Sequence, residues 1–105
     1  MIRGEVWLVT LDPSVGSEIR KTRPCVVVSP AETHDHLRTV IVAPMTTKSR
    51  GAPFRLGVTH GGKKGLILLD QMRAVDKNRL AKKLGAVSAK TLSATLSALQ
   101  EVFAE

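Results

Sequence analysis

The sequence predicts a mainly β domain with helices (α+β): a small barrel or strongly bent sheet closed by one amphipathic C-terminal helix. Three observations carry this. Short apolar runs alternate with polar turns bearing glycine and proline over the first two thirds of the chain. Two of those runs are continuous and rich in β-branched residues, as strands buried on both faces should be. After Ser88 the apolar period changes from that of a strand to that of a helix.

Taken in order, Glu5 to Leu11 reads as the first strand, with Trp7, Val9 and Leu11 on one face and Val6 and Leu8 on the other. Asp12-Pro13 closes it. A polar, glycine-bounded loop, Gly16-Ser17-Glu18-Ile19-Arg20-Lys21-Thr22-Arg23-Pro24, leads into Cys25 to Val28. Residues 30–36 are read as a single helical turn, and Val40 to Ala43 as the second central strand. Residues 47–53 form another polar loop. Strands near Phe54 to Val58 and Leu66 to Leu69 flank the glycine-rich turn 60–65, and Gln71 to Val75 and Lys82 to Val87 are further strands. From Ser88, a natural N-cap, Leu92, Leu96, Leu99 and Phe103 recur at helical spacing, so 88–104 is expected to cover the core.

With 105 residues the chain is expected to be one domain, 1–105, with little core to spare, so a dimer would help it. Sixteen Lys and Arg against nine Asp and Glu give a formal charge of +7 and favour a polyanionic partner: RNA, DNA or an acidic protein segment. Only Trp7, Phe54 and Phe103 are aromatic, which supplies a base-stacking platform poorly. The lone cysteine, Cys25, excludes an internal disulfide and a thiolate metal site, and its apolar surroundings make it a buried filler. No apolar run approaches the ~20 residues that span a bilayer, and the chain reads as cytoplasmic, with no membrane partner.

No His-Glu-x-x-His helix or P-loop is present, and no dinucleotide-binding glycine motif follows the first strand. His34-x-His36 has metal-like spacing, but its turn context makes both solvated loop histidines, as is His60; no metal and no cofactor are expected. What remains is a set of polar residues at strand ends, where a rigid core places side chains accurately. Ser17, Glu18, Arg20, Lys21 and Arg23 come from the first loop. Thr46 and Thr47 follow the buried run ending at Pro44, and Asp70, Gln71 and Arg73 follow Leu66 to Leu69. A loop that sets a carboxylate among cations suits a phosphodiester, which needs positive donors and a base.

Five stretches in register, Arg3-Gly4-Glu5-Val6-Trp7, Leu11 to Glu18, Thr22-Arg23-Pro24, Ala43-Pro44-Met45-Thr46 and Asp70 to Lys77, resemble the MazF/PemK family of toxin endoribonucleases over nearly the whole chain. The resemblance implies an SH3-like barrel of the CcdB/MazF type and a homodimer that cuts single-stranded RNA at short motifs without metal. It also implies a cognate antitoxin, whose acidic, partly disordered segment would fold over the basic groove. By position, Arg23 and Thr46 match the family's catalytic Arg and Thr, and Glu18 a further active-site carboxylate. Asp70, Gln71 and Arg73 match positions that contact RNA or assist cleavage, while Ser17 stands where some relatives carry histidine.

The expected reaction is internal transesterification: the ribose 2′-OH attacks the adjacent phosphorus, expels the 5′-oxygen and leaves a 2′,3′-cyclic phosphate. Arg23 would clamp the non-bridging oxygens, since a guanidinium with pKa above ~12 is a poor base. Thr46 would donate a hydrogen bond, and Glu18 would accept the 2′ proton. Arg20, Lys21, Lys48, Arg50 and Arg73 would track the phosphates, whereas Lys63-Lys64 and Lys82-Lys83 are read as solubilising charge. Two rivals are a non-catalytic RNA-binding barrel and a CcdB-like gyrase poison. The second is disfavoured because the only tryptophan, Trp7, lies in the first strand and not near the carboxyl terminus.

Overall fold

A computed structural model describes residues 1–48 and 50–105; Ser49, inside the expected second loop, lies outside the described residues. Among the described residues seven strands and two α-helices follow one another: β1 (Glu5–Thr10), β2 (Thr22–Val27), α1 (Ala31–His34), β3 (Thr39–Thr46), β4 (Arg55–His60), β5 (Lys63–Leu68), β6 (Arg73–Asp76), β7 (Leu80–Ala86) and α2 (Ala89–Val102). All strand pairs are antiparallel, in the order β4-β5-β3-β2-β1-β7, and β6 joins β3. The result is the strongly bent, half-closed sheet with a terminal helix that the sequence predicts.

β3 organises the bend. One of its edges pairs with β6 over Thr39 to Val42 and then with β5 at Met45 and Thr46. Pro44, which has no N–H to donate, stands between the two ladders, where a missing donor breaks neither. Thr46 therefore closes a strand held on both sides, although the sequence reading ended that strand at Ala43. β2 likewise begins at Thr22, three residues earlier than expected. Thr10 faces Thr22, and Val9 faces Arg23, so cross-strand pairing extends the strand through a polar, Pro-bearing stretch that its own composition would leave as loop.

The expected six-residue turn at 60–65 shrinks to Gly61-Gly62, because His60 pairs with Lys63. Both glycines have positive φ, 59° and 77°, as a two-residue hairpin turn requires. Arg73 rather than Gln71 starts β6, because Leu69–Gln71 is a 3-10 turn.

Apolar residues fill both faces of the sheet. Val6, Val26, Val28, Ala43, Met45, Val58, Ile67 and Leu69 form one cluster. Val9, Leu11, Cys25, Val27, Val40, Val42 and Val75 form the other. Cys25, Val26 and Val27 of β2, and Val42 and Ala43 of β3, go to opposite clusters in turn, which is why these stretches read as unbroken apolar runs; Ile41, expected to be buried with its neighbours, is instead 40% exposed. Cys25 is buried, and burial, only slightly opposed by the nearby Arg73 charge, pushes its thiol up to about 12.

Ser88 caps α2, accepting the Thr91 amide at 3.1 Å. Ala98 and Leu99 pack on the first cluster, and Leu92 lies against Gly4. The helix ends two residues early, however, and Phe103 is 69% exposed. The fully buried residue of the helix is instead Thr95, whose hydroxyl donates to the Thr91 carbonyl at 2.8 Å.

Two other expectations are corrected. His34 is buried: its Nδ1 lies 3.1 Å from the Met1 carbonyl and its Nε2 2.6 Å from the Ser29 hydroxyl, while His36 is exposed. Lys83 is not a free solubilising charge but pairs with the buried Glu5 at 2.6 Å.

Candidate active site

Arg23 and Thr46 meet. β2 carries Arg23 and β3, its neighbour, ends on Thr46. Both residues line a cavity of about 230 Å³ with Pro24, Met45, Thr47, Val58, His60, Lys63 and Gly65. Both also line a second cavity of about 230 Å³ with Ser17, Ile19, Lys48, Leu68 and Gln71. The pair thus forms the ridge between two hollows, one with an apolar floor and one reached from the loops. Such a ridge suits a phosphate whose two flanking nucleosides go to either side.

Each side chain is held by local chemistry. The Nε of Arg23 donates to the Arg20 carbonyl at 3.1 Å, a bond that does not use the terminal nitrogens of the fork. The Thr46 hydroxyl accepts the Lys48 amide at 3.2 Å, so its proton stays available to donate. Gly65 brings β5 unusually close: a Cβ there would sit 2.6 Å from the Thr46 carbonyl oxygen. Only glycine admits this approach of two backbones.

The structure places Glu18 elsewhere. It lines an adjoining cavity of about 170 Å³ with Ile19, Asp70, Gln71, Met72 and Arg73, away from Arg23 and Thr46. Its carboxylate accepts the Val15 amide at 2.6 Å, and its own amide donates to the Val15 carbonyl at 3.1 Å. A carboxylate that reaches back over its own turn is satisfied locally instead of pointing into the cleft.

Asp70, Gln71 and Arg73 all have protein partners. Asp70 takes two hydrogen bonds from Arg55, Nη2 to Oδ2 at 2.8 Å and Nε to Oδ1 at 3.0 Å. That fork, opposed by partial burial, holds the Asp70 carboxyl below its ordinary range. The Gln71 carbonyl accepts the Ile19 amide at 2.6 Å, and Arg73 Nη1 donates to the Leu11 carbonyl at 3.1 Å. Among the cations expected to track phosphates, Arg20, Lys21, Lys48 and Arg50 are exposed and Arg73 is half-buried; Thr47 is exposed as well. Arg20 donates to the Gly16 carbonyl at 3.3 Å, and Lys21 turns the chain into β2 with a positive φ of 68°.

Sequence reasoning missed His60, Lys63, Gly65 and Arg55. Register would have found them. Counting outward from Gly61-Gly62 pairs His60 with Lys63, brings Gly65 opposite Val58, and sets Arg55 across from Leu68, two residues before Asp70.

The chain is similar in sequence and fold to known proteins. A family model described as the PemK-like, MazF-like toxin of type II toxin-antitoxin systems matches residues 2–103. The endoribonuclease PemK of Escherichia coli is 35% identical over 97% of this chain and 81% of its own length. Among solved structures, MazF from Deinococcus radiodurans superposes with a TM-score of 0.85 at 26% identity, covering 97% of this chain and 94% of that one. A MazE-MazF structure from the same organism gives 0.76 at 25% identity, covering 97% and 94%.

Proposed function

The chain belongs to the PemK-like, MazF-like toxin family of type II toxin–antitoxin systems, and from that premise we propose that it cuts single-stranded RNA on the ridge formed by Arg23 and Thr46. It is an endoribonuclease toxin of the kind its relatives are named for. The observation that carries the assignment of the site is that both residues line the same two cavities.

In the proposed reaction the 2′ hydroxyl gives up its proton as its oxygen bonds to the adjacent phosphorus, the bond from phosphorus to the 5′ oxygen breaks, and that oxygen takes a proton from solvent, leaving a 2′,3′-cyclic phosphate and a 5′-OH end. The nucleophile belongs to the substrate, so the protein supplies orientation, charge and proton transfer. The Arg23 fork faces the non-bridging oxygens as charge accumulates on them, and the Thr46 hydroxyl donates to the same group. Glu18 is assigned as acceptor of the 2′ proton on one condition: its carboxylate must first release the Val15 amide that it accepts in this structure and turn from its own loop toward the ridge. Single strands suit such a site because splayed bases drop into hollows that a duplex cannot enter. Ser17, Thr47 and Lys48 line the two cavities; the exposed Arg20, Lys21 and Arg50 are assigned with Lys48 to the phosphates on either side, so binding falls with salt.

An antitoxin partner follows from the MazE-MazF structure that this chain resembles. The net charge of +7 favours an acidic segment lying over the same rim. A homodimer and a cytoplasmic location belong to the same reading. Among the described residues, no helix is long and apolar enough to cross a membrane.

The test is cleavage of a long RNA by wild type, Arg23→Ala and Thr46→Ala, with ends mapped by primer extension. Removing one such donor lowers kcat by about 10²–10³ while the melting curve stays in place. A 2′-deoxy substitution at the cut position blocks the reaction. Wild-type rates in Arg23→Ala, or cutting of the deoxy substrate, defeat the proposal.

A further inference from the structure

The 3-10 turn Leu69–Gln71, the following Arg73, and the two site loops meet in a pattern that the RNA-contact reading of Asp70, Gln71 and Arg73 does not explain. The first loop, residues 12–21, is mostly exposed; only Ser14 and Ile19 are half-buried. Its entrance is held where Arg73 and Arg79 donate to the carbonyls of Leu11 and Asp12, at 3.1 and 2.7 Å. Its far half is fixed to the body by the 2.6 Å bond from the Ile19 amide to Gln71. Ser17 and Glu18 lie just before that bond, and Arg20 and Arg23 just after it. On the other side, Asp70 holds Arg55, and Arg55 Nη1 donates to the Arg50 carbonyl at 3.3 Å, so the second loop is tied to the same turn. Leu69, 1% exposed, roots the turn in the core. Neighbouring side chains from one rigid point thus hold one loop each.

We propose that Gln71 is a positioning residue: its carbonyl sets the height of the first loop over the ridge, while Asp70 does the same for the second loop through Arg55. The proposal rests on the Arg23–Thr46 reading for its catalytic consequence but not for its structural one. An exposed loop this long keeps many conformations unless a buried-side bond selects one, and a displacement near 1 Å at a site is enough to lower turnover about 100-fold. The acceptor must be the side-chain oxygen of Gln71, because its partner is an N–H.

Gln71→Leu and Gln71→Met remove the acceptor, whereas Gln71→Glu keeps an acceptor and adds negative charge toward RNA. The measurements are hydrogen exchange at the Ile19 amide in the free protein, and kcat and KM on a single-stranded RNA. Positioning predicts that Leu and Met each speed Ile19 exchange at least 10-fold and lower kcat 10-fold or more with a smaller change in KM, and that Glu restores both. If Gln71 reads RNA directly, Glu is as harmful as Leu, the loss appears in KM, and Ile19 protection is unchanged; that pattern overturns the proposal. Loss of the folded state in both Leu and Met overturns it too, since a loop anchor leaves the core standing. Should Ile19 respond as expected while Arg23→Ala and Thr46→Ala remain active, it is the catalytic assignment that fails.

Discussion

Replacing Gly65 by alanine tests whether backbone proximity places Thr46. The added Cβ meets the Thr46 carbonyl oxygen at 2.6 Å and its carbon at 3.2 Å, with the Thr47 Cα at 3.6 Å. Ordinary contact begins at 3.4 Å, so the Thr46–Thr47 peptide must retreat by about 0.8 Å. The opposing atoms are backbone, and no side-chain rotation relieves them. The Thr46 hydroxyl moves with that peptide, because it is bonded to the Lys48 amide just beyond. A displacement of this size at a reacting centre lowers the rate about 10²-fold, or about 2.7 kcal/mol of barrier. Gly57→Ala on β4 is the matched control, since its Cβ meets nothing within 4 Å. The assay compares initial rates of RNA cleavage for both variants with their thermal melts, and repeats Gly65→Ala in a Thr46→Ala background. Turnover should fall in Gly65→Ala, stay level in Gly57→Ala, and not fall further in the double variant. Wild-type kcat in folded Gly65→Ala would refute the reasoning.

Two further outcomes follow from groups away from the cleft. Burial raises the Glu5 carboxyl, but hydrogen bonds from Lys83, the Ile2 amide and the Trp7 indole, with the Lys83 charge, outweigh it and hold the group at about 2 instead of 4.5. A depressed folded value means the stabilisation is complete above about pH 4.5 and is lost as pH falls toward 2; screening at the half-exposed Lys83 leaves about 1–3 kcal/mol. Urea melts of wild type and Glu5→Gln from pH 2 to 7 should stand fully apart above that window and converge as pH falls through it, and a constant separation throughout would contradict the pairing. Cys25, pushed up to about 12 by burial, should resist iodoacetamide at pH 8 until denaturant is added; rapid labelling of the native protein would show that the thiol is not enclosed.

The sequence made the central strands legible because Val26 to Val28, and Val42 with Ala43, face core on both sides, and such strands need no partner to be recognised, although Ile41, expected to be buried with them, is exposed. It made Arg23 and Thr46 legible through their place beside those strands. Strand ends were less visible. Thr22 to Pro24 and Pro44 to Thr46 become strand only through cross-strand pairing, a long-range property that local composition does not carry. Glu18 illustrates the same limit at the site: its position in a polar loop was plain, but the short bond back to Val15 depends on loop conformation. Asp70 and Arg55 became a pair only once the hairpin register was known. Phe103 fitted the helical period and nonetheless stays in water, as the C-cap residue that follows the last residue of α2, Val102.

One indole and no phenol means that the chain carries a single optical reporter, and Trp7 holds it in an informative place. The ring packs beside one apolar cluster while its N–H touches the Glu5 carboxylate. Near-ultraviolet emission from the unlabelled toxin therefore senses both enclosure of the first strand and neutralisation of that carboxylate. Acid titration and denaturation can be followed in the same cuvette, with no dye attached.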